Sequence, residues 1–205
     1  MTPRERRIVL RRRSPFAVQR WLRGLGYNWE RSGRTMRSFR GVVRGRAAHC
    51  LEGALAAATI LEQHGYPPLL LDLESHDALD HVVFAYRRRG RWGAVGMSRD
   101  IGLWGRRPVY RSVEALARSY YAPFVDLTGR LTAFATLDLR TLGAYDWRLA
   151  SHNVWKVERT LLSIAHRPFR MSDRQYIRMR ERYRRFVETR DPRDTPFRRG
   201  AHNWT

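Results

Sequence analysis

Ala47-Ala48-His49-Cys50-Leu51-Glu52-Gly53-Ala54-Leu55-Ala56-Ala57-Ala58-Thr59-Ile60-Leu61 decides how the chain is read, because it sets the only cysteine at the head of the most apolar helical stretch. Leu51, Ala54, Leu55, Ala58 and Leu61 share one side of that helix, with Ala57 and Ile60 close by. A helix so apolar is expected to be buried on most sides. His64-Gly65-Tyr66-Pro67-Pro68 ends it: the glycine supplies a left-handed cap and the prolines cannot continue a helix. The free N–H groups of a helix's first turn favour an anion, and a thiol attacks only as thiolate, so Cys50 is the candidate nucleophile.

Working outward, residues 69–73 form a short, strongly apolar strand, and Glu74-Ser75-His76-Asp77 is a polar turn. Asp80-His81-Val82-Val83-Phe84-Ala85-Tyr86 then alternates and is rich enough in β-branched and aromatic residues for a strand. The tip Arg87-Arg88-Arg89-Gly90 leads into Arg91-Trp92-Gly93-Ala94-Val95-Gly96-Met97, which reads as a hairpin. With its turn centred near Arg89, His81 falls opposite Gly96 or Met97, and Ser98 lies one step diagonal to it. An imidazole there can take the thiol proton and later give it to a leaving amine, so His81 is the candidate base. His49 would sit outside the helix, His76 lies in a turn, and His64 at the far helix end reads as a partner of the helix dipole. Gly53 costs about 1 kcal/mol of helix stability relative to alanine, which calls for a close approach of substrate or of the sheet. Glu52 complements the helix dipole, but would raise the thiol pKa if it faced the sulfur.

Upstream, Ser14-Pro15 caps a short amphipathic helix carrying Phe16, Val18, Trp21, Leu22 and Leu25. Residues 27–33 read as a loop, and Thr35 as the cap of a helical turn with Met36, Phe39, Val42 and Val43 on one side. Downstream, 100–108 reads as a glycine-containing loop, Ser112 as the cap of a helix, and 131–139 as a further strand. Ser151 caps a helix with Val154, Trp155, Val157, Leu161 and Leu162, and a last helix starts at Ser172. The expected layout is one α+β domain over 1–205: a core over 14–139, a helical extension over 140–190, and a mobile tail over 191–205.

A chain of 205 residues can bury a sizeable core, and a single cysteine excludes an internal disulfide framework. The first eighteen or so residues carry Arg clusters without the apolar run of a signal peptide, and no window is apolar enough to span a bilayer. The expectation is a cytoplasmic protein with no membrane partner. Its net charge of +21 suggests nucleic acid or an acidic partner. Yet 47–86 holds no Arg or Lys while containing Glu52, Glu62, Asp72, Glu74, Asp77 and Asp80, so the candidate site is locally acidic. Zinc would need Cys-x-x-Cys or His-x-x-x-His spacing, which is absent, so neither metal nor organic cofactor is expected.

Four segments carry a resemblance: Arg37-Ser38-Phe39-Arg40, Gly45-Arg46-Ala47-Ala48-His49-Cys50-Leu51-Glu52-Gly53-Ala54, Asp80-His81-Val82-Val83, and Gly90-Arg91-Trp92-Gly93-Ala94-Val95-Gly96. Together they resemble bacterial transglutaminase-like proteins, distant relatives of papain-like cysteine peptidases, over roughly 35–98. The resemblance implies a buried Cys-bearing helix packed on an antiparallel sheet, Cys50 as nucleophile, His81 as base, and an acid on the next strand. That acid position falls on Gly96. Ser98 and Asp100 share its strand parity and are candidates to orient His81, as is a backbone or water partner.

The function expected is that of a thiol enzyme that cleaves or transfers an acyl group of a peptide, protein or acyl-thioester substrate through a Cys50 acyl-enzyme. Hydrolase, transglutaminase and amide synthase all stay open. The rival is an inactive transglutaminase-like binding protein whose Arg-rich flanks, with Trp21, Trp29, Trp155 and Tyr183 interleaved, engage nucleic acid or an acidic protein.

Overall fold

In the computed structural model, residues 1–126, 129–169, 172–190 and 201–203 are described. The expected mobile tail therefore lies outside the described residues except for a 3-10 turn at Ala201–Asn203. In chain order the elements are α1 (Pro3–Arg11), α2 (Pro15–Arg23), β1 (Gly26–Tyr27), α3 (Phe39–Gly45), β2 (Ala47–Ala48), α4 (Cys50–Glu62), β3 (Leu69–Ser75), β4 (His81–Arg88) and β5 (Arg91–Val95). They continue as β6 (Arg106–Tyr110), α5 (Val113–Arg118), α6 (Tyr121–Phe124), β7 (Leu131–Asp138), α7 (Trp155–Ser163), β8 (Arg167–Pro168) and α8 (Asp173–Thr189).

The protein is mixed α+β. An antiparallel six-stranded sheet, ordered β6-β5-β4-β3-β7-β8, is sandwiched between helices, and β1 and β2 form a separate parallel pair. Period-two alternation divides the sheet residues between two cores. Leu70, Val82, Phe84, Tyr86 and Leu137 pack with α2, α3 and α4, whereas Leu71, Leu73, Val83, Ala85 and Phe134 pack with α5, α6 and Met179 of α8. Ala54, Leu55, Ala56, Ala57, Ala58, Ile60 and Leu61 of α4 are all fully buried, as the composition of that helix requires. Burial of each Leu or Ile there contributes roughly 1.5–3 kcal/mol.

Several boundaries differ from the sequence reading. The basic N-terminal segment is a helix, α1, started by a capping box between Thr2 and Glu5. Glu5 is buried and binds Arg40, and Val9 joins the first core. α3 is capped by Ser38 rather than Thr35, whose hydroxyl binds Glu52 instead. Residues 106–110 form edge strand β6, which an arginine-rich sequence with an internal proline had disguised as loop. The segment after residue 139 is no appendage: Trp147, Ala150, Val154, Val157 and Leu161 lie in the same core as α4.

The β4–β5 hairpin also closes later than expected. Arg88 pairs with Arg91 across Arg89 and Gly90, both at positive φ (49° and 76°), the requirement of a tight type I′ turn. Phe84 therefore faces Val95, and Gly96 meets Val83 rather than His81. Gly53 faces the end of the same strand, where a Cβ would come within 2.7 Å of Met97 Cβ. The close approach inferred for that glycine is made by Met97, just past the end of β5.

Candidate active site

Cys50 is the first residue of α4 and His49 its N-cap. They arrive there through β2, whose pairing with β1 sets Tyr27 against Ala48, so Tyr27 reaches the same place from a segment read as loop. His81 opens β4, and the preceding carbonyl of Asp80 lies 4.0 Å from Cys50 Sγ. His81 lines one cleft with the thiol and His49 lines another with it. Burial raises the thiol pKa, but the bonds and charges of the two imidazoles outweigh it and hold Cys50 down at about 5. His49 shows the reciprocal effect. Burial lowers its pKa, yet Cys50 and Glu52 together with the Thr35 carbonyl lift it to about 9. Burial and the nearby Cys50 charge push Tyr27 up to about 12.

Each imidazole is oriented from behind by a carbonyl. His49 Nε2 lies 3.1 Å from Thr35 O, and His81 Nε2 lies 2.7 Å from Leu103 O. A carbonyl only accepts, so Nε2–H donates in both rings, and the Nδ1 edge of His81 is the one left for the thiol.

Behind His49 lies Glu52, a fully buried carboxylate that accepts hydrogen bonds from Asn28 Nδ2, Thr35 Oγ1, Arg37 N and His49 N. Its carboxylate therefore serves the helix start and His49. A glutamate three residues after the N-cap was the sequence signal for this arrangement.

Behind His81 lies a backbone loop. Ser98 Oγ accepts from Asp100 N at 3.1 Å, and Asp100 O accepts from Leu103 N at 3.0 Å. Ser98 and Asp100 therefore shape the turn that presents Leu103 O, and the hydrogen bond recorded for His81 Nε2 is to that carbonyl. Arg106, fully buried, pins the same loop by donating to Gly102 O at 2.6 Å, Trp104 O at 2.8 Å and Gly105 O at 3.2 Å. Its guanidinium lies 3.9 Å over the Tyr120 ring, and Tyr120 donates to Trp104 O. Reading 100–108 as plain loop hid this clamp.

An acid at position 96 is excluded by packing. A Cβ on Gly96 would come within 2.7 Å of Val83 Cγ1, and its N–H and C=O are both taken by the Gln19 side chain.

Two clefts meet at the thiol. One, of about 240 Å³, is lined by Cys50, His81, Ser98, Asp100, Asp126 and Tyr183 among others. The second, of about 350 Å³, runs on the His49 side past Leu51, Asp72, Val82, Glu158 and Leu161. Tyr27, Cys50, Leu79 and Asp80 line both, so an elongated molecule crossing from one to the other would pass over Sγ.

His64 is not at the site: its Nε2 donates to Val9 O and ties α1 to the end of α4. His76 lies in the β3–β4 turn, its backbone N–H bonded to Arg130 O. Among the described residues, no group of three or more His, Cys, Asp or Glu is placed to hold a metal ion, and no helix is long and apolar enough to cross a membrane. Comparison with protein-family models and with curated proteins finds no match to this chain.

Proposed function

We propose that the chain is a transglutaminase-like thiol enzyme that cleaves or transfers an acyl group, with Cys50 as nucleophile and His81 as general base and acid. One observation carries the reading. A thiol lowered to about 5 opens a helix in a cleft, facing an imidazole whose far nitrogen donates to a fixed carbonyl. A buried structural cysteine would have its pKa raised by the same burial.

In the reaction, His81 takes the Cys50 thiol proton at Nδ1, the thiolate attacks the acyl carbon, a C–S bond forms, and the carbonyl π pair moves to oxygen. The first-turn N–H groups of Cys50 and Leu51 receive that charge. Collapse of the intermediate expels the amine or thiol, which takes a proton from His81. Neutral His81 then removes a proton from water or an acceptor amine, whose attack on the thioester frees Cys50. His49, lifted to about 9, remains protonated through neutral pH and supports the thiolate without exchanging protons. The Leu103 carbonyl takes the orienting role that an acid fills in the resembling family.

The test is the pH dependence of iodoacetamide alkylation of Cys50 in wild type, His81→Ala and His49→Ala. We expect a wild-type midpoint near 5, shifted upward in both variants. A thiol pKa near the ordinary value of about 8.5 in wild type would refute the activated nucleophile.

A further inference from the structure

The second cleft contains a feature that the acyl-transfer chemistry does not use. Asp72, in β3 between Val82 of β4 and Ala135 of β7, lines it at 3% exposure. It shares a sheet face with Leu70, in the middle of an otherwise apolar layer. Its Oδ2 lies 3.0 Å from His166 Nε2, while Oδ1 is buried with no hydrogen-bond partner among the described residues. Nearly all buried polar atoms in folded proteins are satisfied, so a cleft-lining carboxylate with one buried oxygen unsatisfied would gain from a further donor.

The surroundings specify the donor's charge. Glu30, Asp80 and Glu158 line the same cleft, and the imidazolium in its wall, His49, lies against Glu52 with the Cys50 charge beside it. Arg34 is bound to Glu158 and lies 5.6 Å over the Trp155 ring, so its charge is matched within the wall. Burial lifts the Asp72 carboxyl to about 6 against the pull of His166, with Asp80 and Cys50 adding to the rise; it is an anion at neutral pH and would gain from a cation. Val82, Leu161 and Leu162 give the cleft apolar sides that suit a methylene stem. The acidity is local, since the chain as a whole carries +21.

We propose that this cleft is a subsite for the cationic end of a flexible substrate side chain, an ammonium or guanidinium on a methylene stem, with the Asp72 carboxylate as its acceptor. The substrate assignment rests on the reading of Cys50 as nucleophile; the cation site itself stands on Asp72.

The two are separated by measuring binding and thiol protection independently. Butylguanidine, butylamine and the uncharged isostere butylurea are titrated into the full chain by calorimetry, and each is tested for slowing iodoacetamide alkylation of Cys50. We expect one or both cations to bind and to slow alkylation, and butylurea to bind at least about tenfold more weakly, as loss of a charge-assisted hydrogen bond requires. The cation preferred identifies a guanidinium or an ammonium site. Asp72→Asn is expected to bring the cations down to the level of butylurea.

Equal binding of all three probes would overturn the proposal, as would absence of binding or cation binding unchanged in Asp72→Asn. The wild-type comparison with butylurea stands even if that variant fails to fold. Cation binding that requires Asp72, in a chain whose thiol titrates at the ordinary value, would keep the cation site and overturn its role as a substrate subsite.

Discussion

The two imidazoles beside Cys50 are held alike at the first atom and differently behind it. Both donate Nε2–H to a backbone carbonyl, Thr35 O for His49 and Leu103 O for His81. Behind His49 stands the Glu52 carboxylate, 3.6 Å from its Nε2. Behind His81 stand neutral carbonyls gathered by the Arg106 guanidinium. A carboxylate favours the charged ring and helps hold the His49 proton in place; a carbonyl fixes the ring's direction with much less bias on its charge. One side of the thiol thus supplies a fixed positive charge, and the other an aimed group whose proton can move. In the proposed mechanism the proton-transfer role falls to His81 rather than to the adjacent His49.

Removing each support should break one half of this contrast. Glu52→Leu deletes the acceptor of four hydrogen bonds and should destabilise the fold by about 3–5 kcal/mol, as loss of one partner in a buried ionic network does. Where the variant still folds, the His49 pKa should fall, followed by NMR titration of the ring. Arg106→Met strands the carbonyls of Gly102 and Gly105, leaves Trp104 O to Tyr120, and should cost about 2–4 kcal/mol by chemical denaturation. It should leave the His49 titration unchanged while loosening Leu103 O and slowing the His81-dependent step. A common loss of His49 titration in both variants would mean that the two supports are one unit.

The glycines mark the geometric side of the same contrast. Gly53→Ala puts a methyl against Met97 Cβ and should destabilise by about 1–3 kcal/mol through overpacking, measured by urea denaturation. Because the contact is with Met97, the alkylation pH profile should keep its midpoint. A shifted midpoint would tie Gly53 to the thiol instead. The missing acid has the same kind of cause, since Val83 fills the space where a side chain at 96 would begin.

The helix that Cys50 opens and the hairpin that His81 opens were legible because each rests on local pattern: apolar periodicity, alternation, turn glycines and a helix start. What escaped depends on contacts between distant segments. Tyr27 reaches the site only through the β1–β2 bridge, and Asp72 meets His166 from the far end of the chain. The Leu103 carbonyl carries no side-chain signature, and nothing in the segment read as loop marks Arg106 as fully buried. The hairpin misreading was smaller in origin: placing the turn at Arg89 rather than across Arg89 and Gly90 shifted the expected partner of His81.

The smallest effect tests whether thiolate and His49 imidazolium form a pair. Cys50, lowered from 9.0 to about 5, contributes stability that is present in full above its unfolded value and lost as pH falls through 5. His49, raised from 6.5 to about 9, contributes stability that is present in full below 6.5 and lost as pH rises through 9. Between about 5 and 6.5 the thiol alone differs between the folded and unfolded chains, so stability rises with pH; between 6.5 and 9 the two oppose and the profile flattens. Asp72, raised to about 6 by burial, titrates nearby with the opposite sign, so the pair is best read as the difference in Tm between wild type and Cys50→Ser. That difference should grow from pH 5 to 6.5 and then level, corresponding to a change in unfolding free energy on the order of 1 kcal/mol given the solvent access of the cleft. Growth that begins only above pH 8 would mean that the native thiol is protonated at neutral pH, and the contrast between a fixed and a mobile imidazole would lose its basis.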